Sequence, residues 1–299
     1  MNGMFSRTTR QSVHYDMHTH SDRSRESKIP GRLLLSLAKQ NGLQGIGICE
    51  QDAFPDETLY AHAAKLRLRL ALGIEFSCKD SQIIGFGMDF SYTQRKALEK
   101  HFALIKKQMD EIVSLFVDRL HVWDSTVNLE RVAAFAGKAP HPTFVLQYLV
   151  QERRMFPSLL NALQFIADEN LDRDMSLADP FHPVEVVDLI HRAGGIAIWA
   201  HPMMTPLERQ QPLMAKLVAA DLDAVEVVYP YRENGYFGTE SNEVLQARTL
   251  SLTKNVEILF SGGSDCKYPV SPFDGLRPML PGEYGITSQE ADLFGSVFQ

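Results

Sequence analysis

Two histidines separated by one residue, His18 and His20, follow a short apolar run near the start of the chain. Residues i and i+2 of a strand point to the same face, so both imidazoles can bind one metal ion. Imidazole suits zinc and iron, and carboxylates suit manganese. The spacing therefore predicts a metal site, with two ordinary surface histidines as the alternative.

Three further metal-binding side chains stand where apolar runs end. Glu75 ends one run, His201 follows another directly before Pro202, and Asp265 follows a third. A carboxylate at the position of Glu75 can bridge two metals, with an ordinary salt-bridged acid as the alternative. In a β/α barrel the carboxyl ends of the strands meet at one rim, so we expect these residues to converge with the two histidines.

The apolar pattern around these residues alternates between strand and helix. Strands are predicted over 13–17, 44–49, 70–76 and 83–88, and helices over 30–41 and 57–68. Alternation of this kind is typical of βαβ units and predicts a parallel sheet.

The alternation is interrupted after residue 91. Apolar residues three or four apart predict a long helix over 93–120, and shorter helices follow over 129–136, 143–151 and 159–168. Later segments predict helices over 184–193, 207–219 and 241–252 and strands over 196–200, 224–229 and 257–262. We therefore divide the chain into a tail (1–12), a first barrel part (13–91), an all-helical insertion (92–182) and a second barrel part (183–299).

Composition limits the classes of partner. The 299 residues are 44% hydrophobic and carry a net charge of −7, which argues against broad attraction to nucleic acid but leaves a nucleic-acid end open. Three irregularly spaced cysteines form no disulfide framework. With no signal-peptide pattern and no apolar run of membrane-spanning length, the sequence predicts a soluble cytoplasmic protein; it does not indicate the oligomeric state.

Several motifs occur together in a recognisable order. Asp16-Met17-His18-Thr19-His20, Gly73-Ile74-Glu75, Ala200-His201-Pro202 and Gly263-Ser264-Asp265 resemble the PHP (polymerase and histidinol phosphatase) family, over a stretch ending near Pro269. The predicted insertion is similar to that of the branch that dephosphorylates nucleotides and trims RNA ends. The resemblance implies a distorted, TIM-like (β/α)7 barrel that holds up to three divalent metals.

Carried over by residue, the resemblance implies a first metal site with all its ligands present: His18, His20, Glu75 and Asp265. A second site would use Glu75, His201 and Gln82, where the family has histidine.

The third site departs furthest from the family pattern. Arg25 and Lys267 stand where the family has an aspartate and a histidine, and Glu50-Gln51 replaces an Asp-His pair. Two cations repel a metal but bind phosphate, so we predict one or two metals (Zn, Mn or Fe), with Glu50 among the ligands. His141, in a Pro-His motif similar to one in the family's insertion, would face the substrate phosphate.

These features predict a metal-dependent phosphoric ester hydrolase acting on a phosphate monoester, a nucleotide or a nucleic-acid end. Arg25, Lys267 and His141 would be the catalytic residues that neutralise phosphate charge. The alternative is a degenerate PHP domain that binds a phosphorylated ligand or a partner without turnover. An amidohydrolase-type barrel shares the His-x-His start, but no strand offers a convincing lysine for carbamylation.

Overall fold

The computed structural model describes residues 13–171, 173, 176–178, 180–236, 238–267 and 279–299. The predicted tail (1–12) and Pro269 lie outside these residues. Among the helices in the described ranges, none combines the length and the apolar character that crossing a bilayer requires.

The protein is an α/β fold built on one seven-stranded sheet that curls into a nearly closed barrel. Its strands follow each other in chain order: β1 (Tyr15–Thr19), β2 (Gly45–Gln51), β3 (Arg69–Cys78), β4 (Ser81–Phe86), β5 (Ile196–Ala200), β6 (Ala224–Val228) and β7 (Leu259–Gly262). The barrel is drawn together where the segment after β7 meets the end of β1. There the Asp265 N–H donates to His18 O (2.7 Å), and the His20 N–H donates to Cys266 O (2.9 Å).

One strand corrects the prediction of a parallel sheet. β4 pairs antiparallel with both β3 and β5, whereas the other neighbouring strands pair in parallel. Only Lys79 and Asp80 separate β3 from β4, and Asp80 has a φ of +60°. A parallel crossover needs about a dozen residues, so this short turn can only form a hairpin. The first residues of β4, including Gln82, therefore reach the rim where the parallel strands end.

Helices cover the outside of the barrel. They are α1 (Gly31–Gln40), α2 (Leu59–Leu66), α7 (Pro183–Arg192), α8 (Leu207–Ala219), α9 (Asn242–Leu252) and α10 (Ser288–Asp292). Leu34 and Leu35 of α1 pack against Ile46 and Leu70 on one side of the sheet. This packing of apolar helix faces on strands stabilises the barrel that positions the rim.

Four helices, α3 (Tyr92–His121), α4 (Leu129–Ala136), α5 (Pro142–Gln147) and α6 (Leu159–Asp168), lie between β4 and α7. They share an apolar core that includes Phe116, Leu120, Val132 and Leu149. The helix predicted over 143–151 is instead α5 followed by a single π-helical turn, Tyr148–Glu152. The division of the chain into domains stays a prediction.

Candidate metal centre

The protonation of His18 is set by a buried carboxylate. Its Nδ1 lies 3.0 Å from Oε1 and 3.2 Å from Oε2 of Glu226. An ionised carboxylate only accepts hydrogen bonds, so Nδ1 carries a proton and Nε2 is the nitrogen left for a metal. Contacts of this kind orient metal-binding histidines and raise their basicity.

A serine likewise determines that Nδ1 of His20 carries a proton. Its Nδ1 lies 3.3 Å from Ser24 Oγ, which donates its one hydrogen to Glu50 Oε2 (2.6 Å) and also accepts from the Gln51 N–H (2.9 Å). The hydroxyl can therefore only accept from His20, so Nδ1 carries a proton here too. Both histidines therefore direct Nε2 at the centre of the site. Burial opposes protonation of the two rings, but the surrounding carboxylates raise the pKa of both His18 and His20, so protons occupy these nitrogens until a metal displaces them.

Four side chains, His18, His20, Glu75 and Asp265, converge at the rim and are called the rim cluster below. The two Nε2 atoms are 3.1 Å apart, and His18 Nε2 lies 3.3 Å from Glu75 Oε1. His20 Nε2 lies 3.1 Å from Asp265 Oδ1 and 3.5 Å from Glu75 Oε2. Without a metal, protons on the histidines balance the charge of the two carboxylates, and a divalent ion would take the place of those protons.

The spacing of the rim cluster fits a divalent metal. Ligand atoms of a tetrahedral site with bonds of about 2.05 Å lie about 3.3 Å apart, close to the separations above. Asp265 Oδ1 is buried and has no hydrogen-bond partner among the described residues, which is costly unless a cation binds it. The donor set and its geometry therefore fit a zinc-type or manganese-type ion.

A fifth side chain, His201, faces the same Glu75 oxygen as His18. His201 Nε2 lies 3.2 Å from Glu75 Oε1, and the His201 N–H donates to Glu226 Oε2 (2.8 Å). Gln82 pairs in the sheet with Ser77 and Ala200, so it lies on the same face as Glu75, close to this position. His18, Glu75 and His201 thus form a second group of side chains that could hold a metal ion, and it shares Glu75 with the rim cluster.

The backbone of the site is strained at strand ends. His201 and Asp265 have φ values of +29° and +51°, which L-residues rarely adopt. Such strain concentrates at functional sites because the surrounding structure must hold it. Gly263 allows β1 to approach closely, since a Cβ there would lie 2.4 Å from the backbone nitrogen of His18.

Burial and nearby charge act in opposite directions on the two carboxylates. Burial alone would raise the pKa of Glu75, but the charge of His18 and hydrogen bonds from His18 and His201 lower it. Burial also opposes ionisation of Asp265, yet the Lys267 ammonium and His18 hold its pKa well below the usual range. Both groups are therefore charged at neutral pH, as metal ligands must be.

Sequence reasoning missed two residues that support the site. Glu226 lies in β6 with its side chain buried, and the Tyr229 hydroxyl donates to Asp265 Oδ2 (2.6 Å). An acidic residue inside the apolar run of β6 was the available signal for Glu226. Tyr229 gave no such signal, because an aromatic residue at a strand end is common.

Glu50, predicted as a metal ligand, lies beside the rim cluster, but its carboxylate is hydrogen-bonded to the β1–α1 loop. Its carboxylate accepts hydrogen bonds from the hydroxyls of Ser21 and Ser24 and from the Ser24 N–H. These donors occupy both oxygens. In this arrangement Glu50 orders the loop that orients His20.

Arg25, predicted to bind phosphate, is directed toward the helical insertion. Its guanidinium donates to Asp110 (2.6 Å) and to the carbonyls of Lys106 (2.8 Å) and Pro140 (2.9 Å). Its contacts thus connect the barrel loop to α3 and to the turn before α5.

His141 is the N-cap of α5 and accepts from the Thr143 N–H through Nδ1. Desolvation lowers its pKa from 6.5 to about 4, and the charges of Arg25 and Lys267 act in the same direction. The ring is therefore uncharged near pH 7. It can supply a hydrogen bond to a ligand, but not the positive charge expected from the sequence.

A cleft of about 510 Å³ lies between the rim and the insertion. Its barrel side includes Gln51, Asp52 and Ser77, and its insertion side includes Phe102 and His141. Gln51 pairs with Glu75 across β2 and β3, so this side of the cleft adjoins the rim cluster.

Comparison with known proteins supports the fold. No protein-family model matches the sequence, and neither does any curated protein. A protein from Bifidobacterium adolescentis, proposed to be a metal-dependent phosphoesterase, has a similar structure with a TM-score of 0.70 at 19% identity, over 94% of each chain. An amidohydrolase from Chromobacterium violaceum, solved with bound sulfate and no metal, gives 0.71 at 15% identity over 96% of this chain and 98% of that one. At these identities the similarity is one of fold.

Proposed function

We propose that this protein is a metal-dependent phosphoesterase that hydrolyses a phosphate monoester, such as a nucleotide or an oligonucleotide end. The observation that carries the proposal is the rim cluster, in which the Nε2 atoms of two imidazoles and the oxygens of two carboxylates converge within 3.1–3.7 Å. A divalent ion bound there would polarise a phosphoryl oxygen and activate water near neutral pH.

The surrounding residues have distinct roles in this proposal. Glu226 and Ser24 hold the Nδ1 protons of His18 and His20, which keeps both Nε2 atoms available. Tyr229 holds Asp265 through one oxygen and leaves the other directed at the histidines. These contacts fix the ligands in advance, so little reorganisation accompanies binding.

The cleft offers space for the substrate beside the rim. Phe102, Ile105 and Met109 of α3 form an apolar wall, and Lys106 and Arg23 supply positive charge at its exposed parts. Such a wall suits the organic part of a phosphate ester, while the cations attract its phosphate. The sulfate of the Chromobacterium protein, an anion shaped like phosphate, is consistent with anion binding on this fold.

A second candidate is a domain that binds a phosphorylated ligand without turnover. Gln82 favours it, because an amide oxygen is a weaker metal ligand than imidazole at the position next to Glu75 and His201. A single ion at the rim cluster would then hold the phosphate without a second ion to assist.

The test is to load the purified protein with Mn²⁺, Zn²⁺ or Fe²⁺ and screen phosphate monoesters, nucleotides and 5′-phosphorylated oligonucleotides, with amide substrates as a further arm. Turnover of a phosphoester that is lost in His18→Ala but kept in His182→Ala, an exposed histidine at the start of α7, supports the proposal. Tight nucleotide binding without turnover by metal-loaded protein would favour the second candidate, and amide cleavage alone would refute both.

A further inference from the structure

Lys267 is held between two acidic side chains next to the rim cluster. Its Nζ lies 3.0 Å from Glu26 Oε1 and 3.0 Å from Asp265 Oδ2. The side chains of Lys267, Glu26 and Asp265 are 15%, 8% and 2% exposed. The ammonium is thus a nearly buried charge with two carboxylate partners.

The same two acids belong to a group of side chains that could bind a metal. His20, Glu26 and Asp265 each place one ligand atom within 4.8 Å of the others, and all three are buried. Imidazoles and carboxylates are typical ligands of a divalent cation, and because His20 Nε2 also faces the rim cluster, an ion here would depend mainly on Glu26 and Asp265. Lys267 therefore places its positive charge beside a group that could otherwise hold an ion.

Asp265 connects this group to the rim cluster. Its Oδ2 accepts from Lys267 and from the Tyr229 hydroxyl, whereas its buried Oδ1 has no hydrogen-bond partner among the described residues and faces His20 Nε2 at 3.1 Å. One oxygen is committed to the ammonium and the other remains for an ion in the rim cluster. Oδ2 of Asp265 thus binds the Lys267 ammonium, and Oδ1 is available to an ion in the rim cluster.

Electrostatics explains why one cation would exclude the other. Two buried carboxylates need positive charge nearby, and an ammonium with three N–H donors supplies it. A divalent ion bound to the same oxygens would lie within a few ångströms of the ammonium, where like charges repel strongly in a poorly solvated site. Glu26 and Asp265 therefore cannot bind the ammonium and a divalent ion at the same time.

We propose that Lys267 is a built-in cation that fills the His20–Glu26–Asp265 group and excludes a metal ion from it. Metal binding is then confined to the rim cluster and the adjoining position at His201. The inference rests on the proposed function only in that both assign metal binding to this rim.

The test counts metal ions without using catalysis. Wild-type protein, Lys267→Met and Lys267→His are incubated with excess Zn²⁺ or Mn²⁺, freed of unbound metal by gel filtration and measured by elemental analysis. Methionine keeps the side-chain volume without the charge, and histidine adds a ligand. Both variants should bind one more ion per chain than the wild type.

Two controls make the count specific. Lys107→Met, which removes an exposed ammonium on α3, should leave it unchanged, and Lys267→His combined with Glu26→Gln should return it to the wild-type value. Circular dichroism and thermal unfolding show which variants are folded, and either Lys267 variant alone suffices for the test.

An unchanged count in a folded Lys267 variant would overturn the inference. Its failure is distinct from failure of the proposed function, which is judged by turnover of the metal-loaded wild type. An added ion in Lys267→His supports the inference whether or not the wild type hydrolyses a substrate.

Discussion

Glu226 Oε1 lies 3.0 Å from His18 Nδ1, while Oε2 of the same carboxylate accepts the backbone N–H of His201 at 2.8 Å. One buried acid on β6 therefore orients a side chain at the end of β1 and the backbone at the end of β5. It links two parts of the site that are 183 residues apart in the chain, from His18 to His201. Glu226 thus acts on the candidate metal site without belonging to the rim cluster.

Glu226→Gln should weaken metal binding by about 10- to 100-fold, the usual effect of removing a partner of a metal-bound histidine. The amide has one acceptor oxygen, so it cannot serve both His18 and His201 as the carboxylate does. A competition titration of Zn²⁺ against a chelator measures the change. Glu208→Gln, an exposed residue of α8, is the matched control, and equal affinities in the two variants would refute the role of Glu226.

Lys138→Met should destabilise the protein by about 1–3 kcal/mol, the typical cost of leaving buried acceptors unpaired. The Lys138 ammonium donates to the carbonyls of Asp22 (2.9 Å), Ser24 (2.7 Å) and Ser27 (2.9 Å), which ties the insertion to the loop that carries Ser24. Urea unfolding of the wild type and the variant measures the difference in their free energies of unfolding.

The exposed Lys107→Met should change that free energy by less than about 0.5 kcal/mol. Because the Lys138 contacts hold the loop beside His20, the Lys138 variant should also bind metal more weakly. An unfolding free energy equal to that of the Lys107 variant would show that the Lys138 hydrogen bonds do not stabilise the protein.

His141→Asn should reduce the acid sensitivity of the protein. The pKa of His141 falls from 6.5 to about 4 on folding, so the unfolded chain binds the proton more readily than the folded one. Its contribution is fully present above pH 6.5 and is lost as the pH falls from 6.5 toward 4. Asparagine keeps an N-cap acceptor for α5 without titrating.

The comparison for His141 is the unfolding free energy at pH 7.5 and pH 5. The wild type should lose more stability than His141→Asn between these two values, and His182→Asn should follow the wild type. A variant that loses as much as the wild type would mean that His141 does not resist protonation.

Divalent metal should raise the melting temperature, and a chelator should lower it, because only the folded chain assembles the rim cluster. At 100 times the dissociation constant, an ion adds about 2.7 kcal/mol of stability. His20→Ala should lose most of the metal-dependent shift, and His182→Ala should retain it. Calorimetry with and without Zn²⁺ or Mn²⁺ provides the measurement, and an equal shift in His20→Ala would place the ion elsewhere.

Local patterns predicted much of the fold. The bounds of α4, α6, α8 and β5 are those predicted, because apolar periodicity and side-chain caps such as Asn128 and Ser158 mark them within a few residues. The direction of β4 was not predicted. Its apolar run looks the same in either orientation, and only its pairing with β3 and β5 reveals that it runs antiparallel.

The candidate site was likewise predicted only in part. Residue types at the ends of apolar runs predicted that His18, His20, Glu75, His201 and Asp265 meet, because the ends of parallel strands share a rim. The sequence did not predict the directions in which long side chains point. Arg25 turns to the insertion, and Lys267 lies between Glu26 and Asp265, contacts that depend on loops and on helices packed from elsewhere in the chain.

The sequence by itself determined the strand ends that carry the metal-binding residues, since burial patterns and residue chemistry are local properties. Only the tertiary structure decided how those residues are held. The proton on His18 depends on Glu226 and that on His20 on Ser24, and the free oxygen of Asp265 depends on Tyr229 and Lys267. Hydrogen bonds and ion pairs act over about 3 Å, and folding alone brings such partners within that distance.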